Sequence, residues 1–244
     1  MTLPRLAKAV LHGALGWVWP RRCLHCQNDI PDDTPGGFCP ACVRTFSDEP
    51  HPICPRCATG VGEFADLEAG CIRCRKERYS FIGTVRLGAY AGPLRDMVLR
   101  VKQPGQDTVA EELGATLARC RGDVLRQIQP QAIVPVPLHW KRRLVRRYNQ
   151  AHAIAWGVGG VLHVPVVACI RRVRATAKQT EQSPTARRTN VAGAFAPKAG
   201  AVVRGLRVLL IDDVFTTGAT ANAAAQAILA AGAAQVHVAV LAHR

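Results

Sequence analysis

The stretch Val208-Leu209-Leu210-Ile211-Asp212-Asp213-Val214-Phe215-Thr216-Thr217-Gly218-Ala219-Thr220 decides how this chain is read. Four consecutive apolar residues predict a strand buried on both faces, as in a parallel sheet. Two carboxylates stand where that strand would end. A hydroxyl-rich turn with a glycine follows, and then an Ala-rich run, 221–231, of high helix propensity. Strand, acidic pair, loop and helix in that order form a phosphate cradle flanked by acids. N–H groups at a helix N-terminus attract phosphate, and Gly218 is expected to let the backbone approach it closely. Thr216, Thr217 and Thr220 can add hydroxyl donors. The carboxylates would repel the phosphate, so they must face another part of the ligand: sugar hydroxyls or a bridging metal.

The charge of the 244-residue chain is uneven. Its formal net charge is +15, yet residues 1–80 hold 10 Lys/Arg against 9 Asp/Glu. Residues 141–188 hold 11 basic residues against the single acid Glu181. A multiply anionic partner is implied, either a polyphosphate or a nucleic acid.

Eight of ten cysteines form Cys-x-x-Cys pairs: Cys23/Cys26, Cys39/Cys42, Cys54/Cys57 and Cys71/Cys74. The turns between them are rich in Pro, Gly and Asp, with few apolar residues for a core, so the segment needs a staple. Two tetrahedral four-cysteine Zn²⁺ sites supply it. Sequential pairing is the simpler arrangement, and a cross-braced one stays open. With four thiolates per metal no coordination position is left for catalysis, so the zinc is structural. Cys120 and Cys169 read as buried core thiols. Residues 5–19 begin with Arg5 and Lys8, but no small-residue cleavage site follows their apolar stretch. They predict a short amphipathic helix packing Leu6, Val10, Leu11 and Trp17 on the rest of the protein, with a membrane-surface helix as the lesser alternative. Without a convincing secretory signal, a cytoplasmic protein with metal thiolates rather than disulfides is expected.

From residue 81 the pattern becomes α/β. Thr84–Ala89 reads as a strand, Pro93–Lys102 as a helix, 108–129 as one longer helix, and Ala132–Leu138 as a strand entering a proline-fixed loop. The uncharged stretches 151–170 and 218–242 each read as a buried helix, a glycine stop and a sheet strand, not as membrane spans. Residues 171–195, basic and poor in apolar side chains, read as an excursion that returns to a strand near Phe195. Three segments result: a helix in 1–22, a double zinc ribbon in 23–80, and an α/β domain with a mainly parallel sheet in 81–244.

The 208–220 run resembles the phosphoribosyl-pyrophosphate (PRPP) signature of type I phosphoribosyltransferases. The whole chain resembles the ComF/GntX-type family, in which a zinc ribbon precedes such a domain. The further matches are Val134-Pro135-Val136-Pro137-Leu138, Arg146-Arg147-Tyr148-Asn149-Gln150, Arg174/Thr176/Gln179 and Arg188/Asn190/Gly193/Phe195. Arg147 departs from the family's usual glycine, and Tyr148 from its phenylalanine. The resemblance implies a type I phosphoribosyltransferase-like fold and Mg²⁺-dependent transfer of a phosphoribosyl group from PRPP, with a role in DNA uptake, natural competence or nucleotide salvage. It implies that Asp212 and Asp213 hold the ribose and act in catalysis, and that Thr216, Thr217, Gly218, Ala219 and Thr220 bind the 5′-phosphate. Lys102, Pro137, Leu138, His139, Arg142 and Arg143 would meet pyrophosphate, with Arg174, Lys178, Gln179 and Arg188 on a lid. Other readings of these residues remain: 141–147 as a solvated helix face or DNA-phosphate patch, His139 as a surface or core histidine, and Tyr148-Asn149-Gln150 as capping and packing groups. The rival to an enzyme is a non-catalytic protein that binds single-stranded DNA or the DNA-import machinery, with a vestigial or regulatory PRPP site.

Overall fold

The structure is a computed structural model that describes residues 21–68, 70–138, 147–174, 193–200 and 202–244. The helix expected over 5–19 lies outside the described residues. In chain order the first elements are α1 (Pro40–Ser47), β1 (Thr84–Ala89), α2 (Gly92–Arg100), α3 (Asp107–Cys120), α4 (Gly122–Ile128) and β2 (Ala132–Pro135). Then come α5 (Gln150–Leu162), β3 (Ile170–Arg172), β4 (Phe195–Pro197), β5 (Arg207–Phe215), α6 (Ala219–Ala230) and β6 (Gln235–His243).

The four-residue apolar run lies in β5, inside a four-stranded sheet of order β1-β6-β5-β2. The strand does not end at the carboxylates: its pairing with β6 carries it through Asp212 and Asp213 to Phe215. All three pairings are parallel. Val208 and Leu210 pack into the core on one face, with Ile228 of α6 and with Ile170 and Phe195 of the antiparallel β3–β4 pair. Leu209 and Ile211 pack into the other core, with Leu94 of α2, Leu113 of α3 and Ile154 of α5. All four are fully buried, and each such side chain contributes about 1.5–3 kcal/mol. Both faces being covered is why the run does not alternate.

The cysteine-rich segment joins this frame. Phe38 and Phe46, both nearly fully buried, pack edge-to-face with ring centroids 5.2 Å apart and enter the core of α2, α3 and α5. A Cβ added at Gly88 of β1 would lie 2.0 Å from the Phe46 carbonyl, so only glycine admits this contact. The apolar supply that looked too small for a core is thus completed by the sheet. Arg86 of β1 and Glu49, just past α1, make a buried two-bonded ion pair (Nε to Oε1 2.7 Å) that ties the first cysteine pairs to the strand.

Two helix expectations need correction. The 108–129 helix breaks at Arg121, whose guanidinium donates to the carbonyls of Arg86 (3.0 Å), Leu87 (2.7 Å) and Ser47 (2.8 Å). Satisfying those carbonyls pulls Arg121 out of helical geometry (φ −112°, ψ 21°). In 151–170 the glycines do not stop the helix. Gly157 lies inside α5 where it crosses α3, and an added Cβ would sit 1.8 Å from the Glu111 carbonyl. The helix ends at left-handed His163 (φ 56°), and only a single parallel bridge, Ile133 to Val166, follows in place of a strand. The other stretch follows expectation: α6, then Gly232 at φ 97°, then β6. Cys169 is buried, whereas Cys120 is partly exposed. No helix among the described residues is long and apolar enough to cross a membrane.

Candidate functional site

The eight paired cysteines form two clusters in chain order, Cys23/Cys26/Cys39/Cys42 and Cys54/Cys57/Cys71/Cys74, with the Sγ atoms of each cluster all within 4.8 Å of one another. This is the sequential pairing. Sγ–Sγ distances of 3.7 Å (Cys26–Cys39), 3.7 Å (Cys54–Cys74) and 3.6 Å (Cys57–Cys71) match the roughly 3.8 Å edge of a tetrahedron with Zn–S bonds of about 2.3 Å. Burial acts to raise the Cys23 thiol, but amides of Cys39, Cys26 and His25 bring it down to about 7. Burial is likewise outweighed at Cys54, by amides of Cys57, Cys71 and Arg56, again giving about 7. The donor set and spacing fit two structural zinc ions. Sequence reasoning did not single out His25, whose Nδ1 lies 3.3 Å from Cys42 Sγ. It sits between two ligands in Cys23-Leu24-His25-Cys26, which is the signal that could have found it.

The acidic pair occupies a crevice at the C-terminal end of the sheet. β2 leaves β5 after Val136, whose N–H donates to the Ile211 carbonyl (2.9 Å). Beyond that point β5 keeps only β6 as a strand neighbour among the described residues, with Asp212 opposite Val240. Pro137 and Leu138, half-buried, begin the diverging loop. This is where open parallel sheets bind ligands. The two carboxylates stay close enough to interact with each other. Asp213 turns toward the α2–α5 side: its Oδ2 lies 3.3 Å from Lys102 Nζ and accepts from Gln150 Nε2 at 3.4 Å. Asp212 Oδ1 accepts the Asp213 N–H at 2.9 Å, and Asp213 Oδ1 the Val214 N–H at 2.9 Å. Burial, reinforced by the Asp213 charge, pushes the Asp212 carboxyl up to about 8. Asp212 therefore takes up a proton more readily than an ordinary aspartate, even with Lys102 nearby opposing the shift. Lys102, expected at pyrophosphate, is here the counter-ion of Asp213.

Arg147 shows how the chain replaces the usual glycine. It adopts φ 62°, in the left-handed region, despite its side chain. The turn delivers three neighbours to the site. Tyr148 donates its hydroxyl to the Val101 carbonyl beside Lys102, Asn149 spans the Val136 carbonyl (3.1 Å) and the Ala151 N–H (3.1 Å), and Gln150 reaches Asp213. Asn149 is the N-cap of α5, so its capping reading is the observed one. Gln150 is buried, and its Oε1 has no hydrogen-bond partner among the described residues.

The loop after β5 leads into α6 through Gly218 (φ 75°, ψ 0°), and the Thr217 hydroxyl oxygen accepts the Ala219 N–H at 3.4 Å. First-turn N–H groups have no carbonyl four residues back within the helix and point out of its end, which makes the turn receptive to an anion. Thr216, Thr217, Ala219 and Thr220 are half-exposed there, while Gly218 is buried. The reason for the glycine differs from the one expected. A Cβ at Gly218 would meet Phe215 Cζ at 2.6 Å and Tyr79 Cε1 at 3.0 Å, so its missing side chain makes room for aromatic rings rather than for a ligand. Tyr79 also donates to the Thr217 carbonyl (3.2 Å), and Asn222 Oδ1 accepts the Ser80 N–H (2.6 Å). Sequence reasoning missed both contacts, because nothing local pairs residues about 140 positions apart.

Exposed Arg174 leaves β3 just where Val173 N–H donates to the Ala194 carbonyl (2.8 Å). His139, Arg142, Arg143, Lys178, Gln179 and Arg188 lie outside the described residues.

The comparisons with known proteins agree with this architecture. Residues 14–75 match a double zinc ribbon domain and residues 157–244 a phosphoribosyl transferase domain. "Competence protein F" of Haemophilus influenzae is 31% identical over 225 residues, covering 89% of this chain and 94% of that protein. "DNA utilization protein YhgH" of Escherichia coli K12 is 32% identical over 208 residues, covering 83% and 88%. "Competence protein ComFC" of Bacillus subtilis is 25% identical over 213 residues, covering 86% and 78%. With paired thiolate clusters set on a type I phosphoribosyltransferase-like sheet, and with this likeness along nearly its whole length, the chain belongs to the ComF family of competence and DNA-utilization proteins.

Proposed function

We propose that the chain transfers a phosphoribosyl group from PRPP, in a Mg²⁺-dependent reaction, to a nucleophilic acceptor such as a base or an amine, in the cytoplasm. The observation that carries this is the acidic pair beside a threonine-lined helix N-terminus, with Lys102 already paired to Asp213. Thr216–Thr220 grip the 5′-phosphate, and Asp212 and Asp213 hold the ribose 2′- and 3′-hydroxyls. The bond from C1 to the pyrophosphate oxygen breaks, its electron pair leaving with pyrophosphate. The acceptor's lone pair then forms the new bond to C1, and the acceptor gives up a proton to solvent or to a nearby base. Positive charge builds on the ribose ring in between, and ionised Asp212 and Asp213 stabilise it. The oxygen-rich pair fits a hard cation, with Asp212 or Asp213 the residue that would help hold Mg²⁺. Bound Mg²⁺ would neutralise the departing pyrophosphate. Lys102, Pro137, Leu138, His139, Arg142 and Arg143 meet pyrophosphate, and Arg174, Lys178, Gln179 and Arg188 close over the substrate. The relatives' names connect the reading to DNA uptake or use.

A second reading is supported by the basic residues of 141–188, of which Arg171 and Arg174 are exposed: binding of single-stranded DNA, with the PRPP site vestigial or regulatory. Titrating PRPP with and without Mg²⁺ separates them. The enzyme reading expects a dissociation constant of about 1 mM or tighter, lost in Asp212→Asn/Asp213→Asn. The second reading expects no PRPP-dependent loss, with salt-sensitive DNA affinity unchanged in that variant.

A further inference from the structure

We propose that the second thiolate cluster, and not the first, sets the shape of the 216–220 loop, with Arg56, Tyr79, Thr59 and His243 as positioning residues. Two side-chain paths run from that cluster to the loop. On one, Arg56 lies between ligands Cys54 and Cys57 and donates to the Cys74 carbonyl (3.0 Å) and to the Glu77 carbonyl. Its guanidinium stands over the Tyr79 ring, 5.5 Å from the centroid. Tyr79 in turn packs against Gly218 and bonds the Thr217 carbonyl, while the next residue, Ser80, bonds Asn222 in the first turn of α6.

On the other path, Thr59 Oγ1 lies 3.2 Å from the Cys57 sulfur and 3.2 Å from His243 Nε2. With Cys57 as a metal-bound thiolate, the Thr59 hydroxyl donates to sulfur and its oxygen accepts from Nε2–H. His243 is neutral at working pH, since burial, then Arg86 and Arg73, push it down to about 4. It stacks on Phe215 at 5.6 Å and 22°, and Phe215 is the other ring filling the space at Gly218. The two paths thus converge on one backbone position. The first cluster packs on the opposite face of the sheet, among α2, α3 and α5. The described contacts carry no comparable side-chain path from it to residues 216–222.

This inference rests on the phosphate-loop reading only for its ligand arm. Amide hydrogen exchange on the zinc-loaded full chain reads the loop directly. Tyr79→Ala and Cys57→Ser should speed exchange at residues 219–222 by at least about tenfold while amides of β5 and β6 stay protected. Tyr79→Phe, which keeps the ring at Gly218 and loses only the bond to Thr217, should restore most of that protection. Cys26→Ser in the first cluster should leave the loop within about twofold of wild type. Equilibrium dialysis should show weaker PRPP binding in Tyr79→Ala than in Tyr79→Phe. Unchanged loop exchange in Tyr79→Ala overturns the proposal, as does equal loosening in Cys26→Ser. Should Cys57→Ser fail to fold, Tyr79→Ala alone decides. A loop that loosens as expected in a protein whose wild type has no PRPP affinity supports the clamp and counts against the proposed function.

Discussion

Asp212 carries a consequence that can be read without any ligand. Its folded value near 8 stands above the ordinary 3.8, so the native state holds the proton more tightly than the unfolded chain does. Stability contributed by that group is complete at low pH, declines as pH rises from about 4 to about 8, and is flat above. Asp212→Asn should therefore melt with wild type at pH 4 and on the order of 5 °C higher at pH 9, by calorimetry. A variant less stable at both pH values would contradict the burial argument. Arg147 gives an independent case. Its left-handed backbone costs roughly 1 kcal/mol that glycine avoids, and glycine's extra freedom when unfolded offsets part of it. Arg147→Gly should be neutral or stabilising by up to about 1 kcal/mol in urea unfolding, with a clear loss as the contrary result. The acids, the threonine loop and the thiolates were legible at this scale because their spacing is local. The Lys102–Asp213 contact and the rings around Gly218 were not, since they join residues 111 and 139 positions apart (Lys102–Asp213, Tyr79–Gly218) through the fold.

Among the elements, β1, α6 and β6 formed where their local patterns placed them. β5 formed on its apolar run but continued through the acidic pair to Phe215, because its pairing with β6 extends to His243. The α3–α4 break was hidden: Arg121 leaves the helix to satisfy carbonyls of β1 and α1, a tertiary demand with no local sign. The α5 glycines were read as a stop because glycine disfavours helix; packing overrode propensity. Each helix presents a glycine to the other's backbone at this crossing, with a Cβ at Gly114 falling 2.1 Å from the Ile154 carbonyl. Gly157→Ala should force the helices apart and destabilise by about 1–3 kcal/mol, against a gain if propensity governed the site. Gly160→Ala, with nothing within 4 Å of the added Cβ, is the control and should be neutral or stabilising by up to about 1 kcal/mol.

At the scale of the whole molecule, each thiolate cluster is built into a different core, one on either face of the sheet. Metal removal should therefore do more than unfold an appendage. Elemental analysis should return about two zincs per chain. A strong chelator should weaken the near-ultraviolet signal of the aromatic side chains packed beside the clusters, Phe38 and Phe46 on one face and Tyr79 and Phe81 on the other. A metal-free chain that keeps its native signal would contradict that construction. The central claim is that the crevice at the end of β5 binds PRPP, and the most direct measurement is a crystal structure with a non-hydrolysable PRPP analogue and Mg²⁺. The account predicts the 5′-phosphate on the N–H groups of 217–220, ribose hydroxyls on Asp212 and Asp213, and Lys102 drawn from Asp213 toward the pyrophosphate. An analogue bound elsewhere, or a crevice left empty with Lys102 still on Asp213, would contradict it.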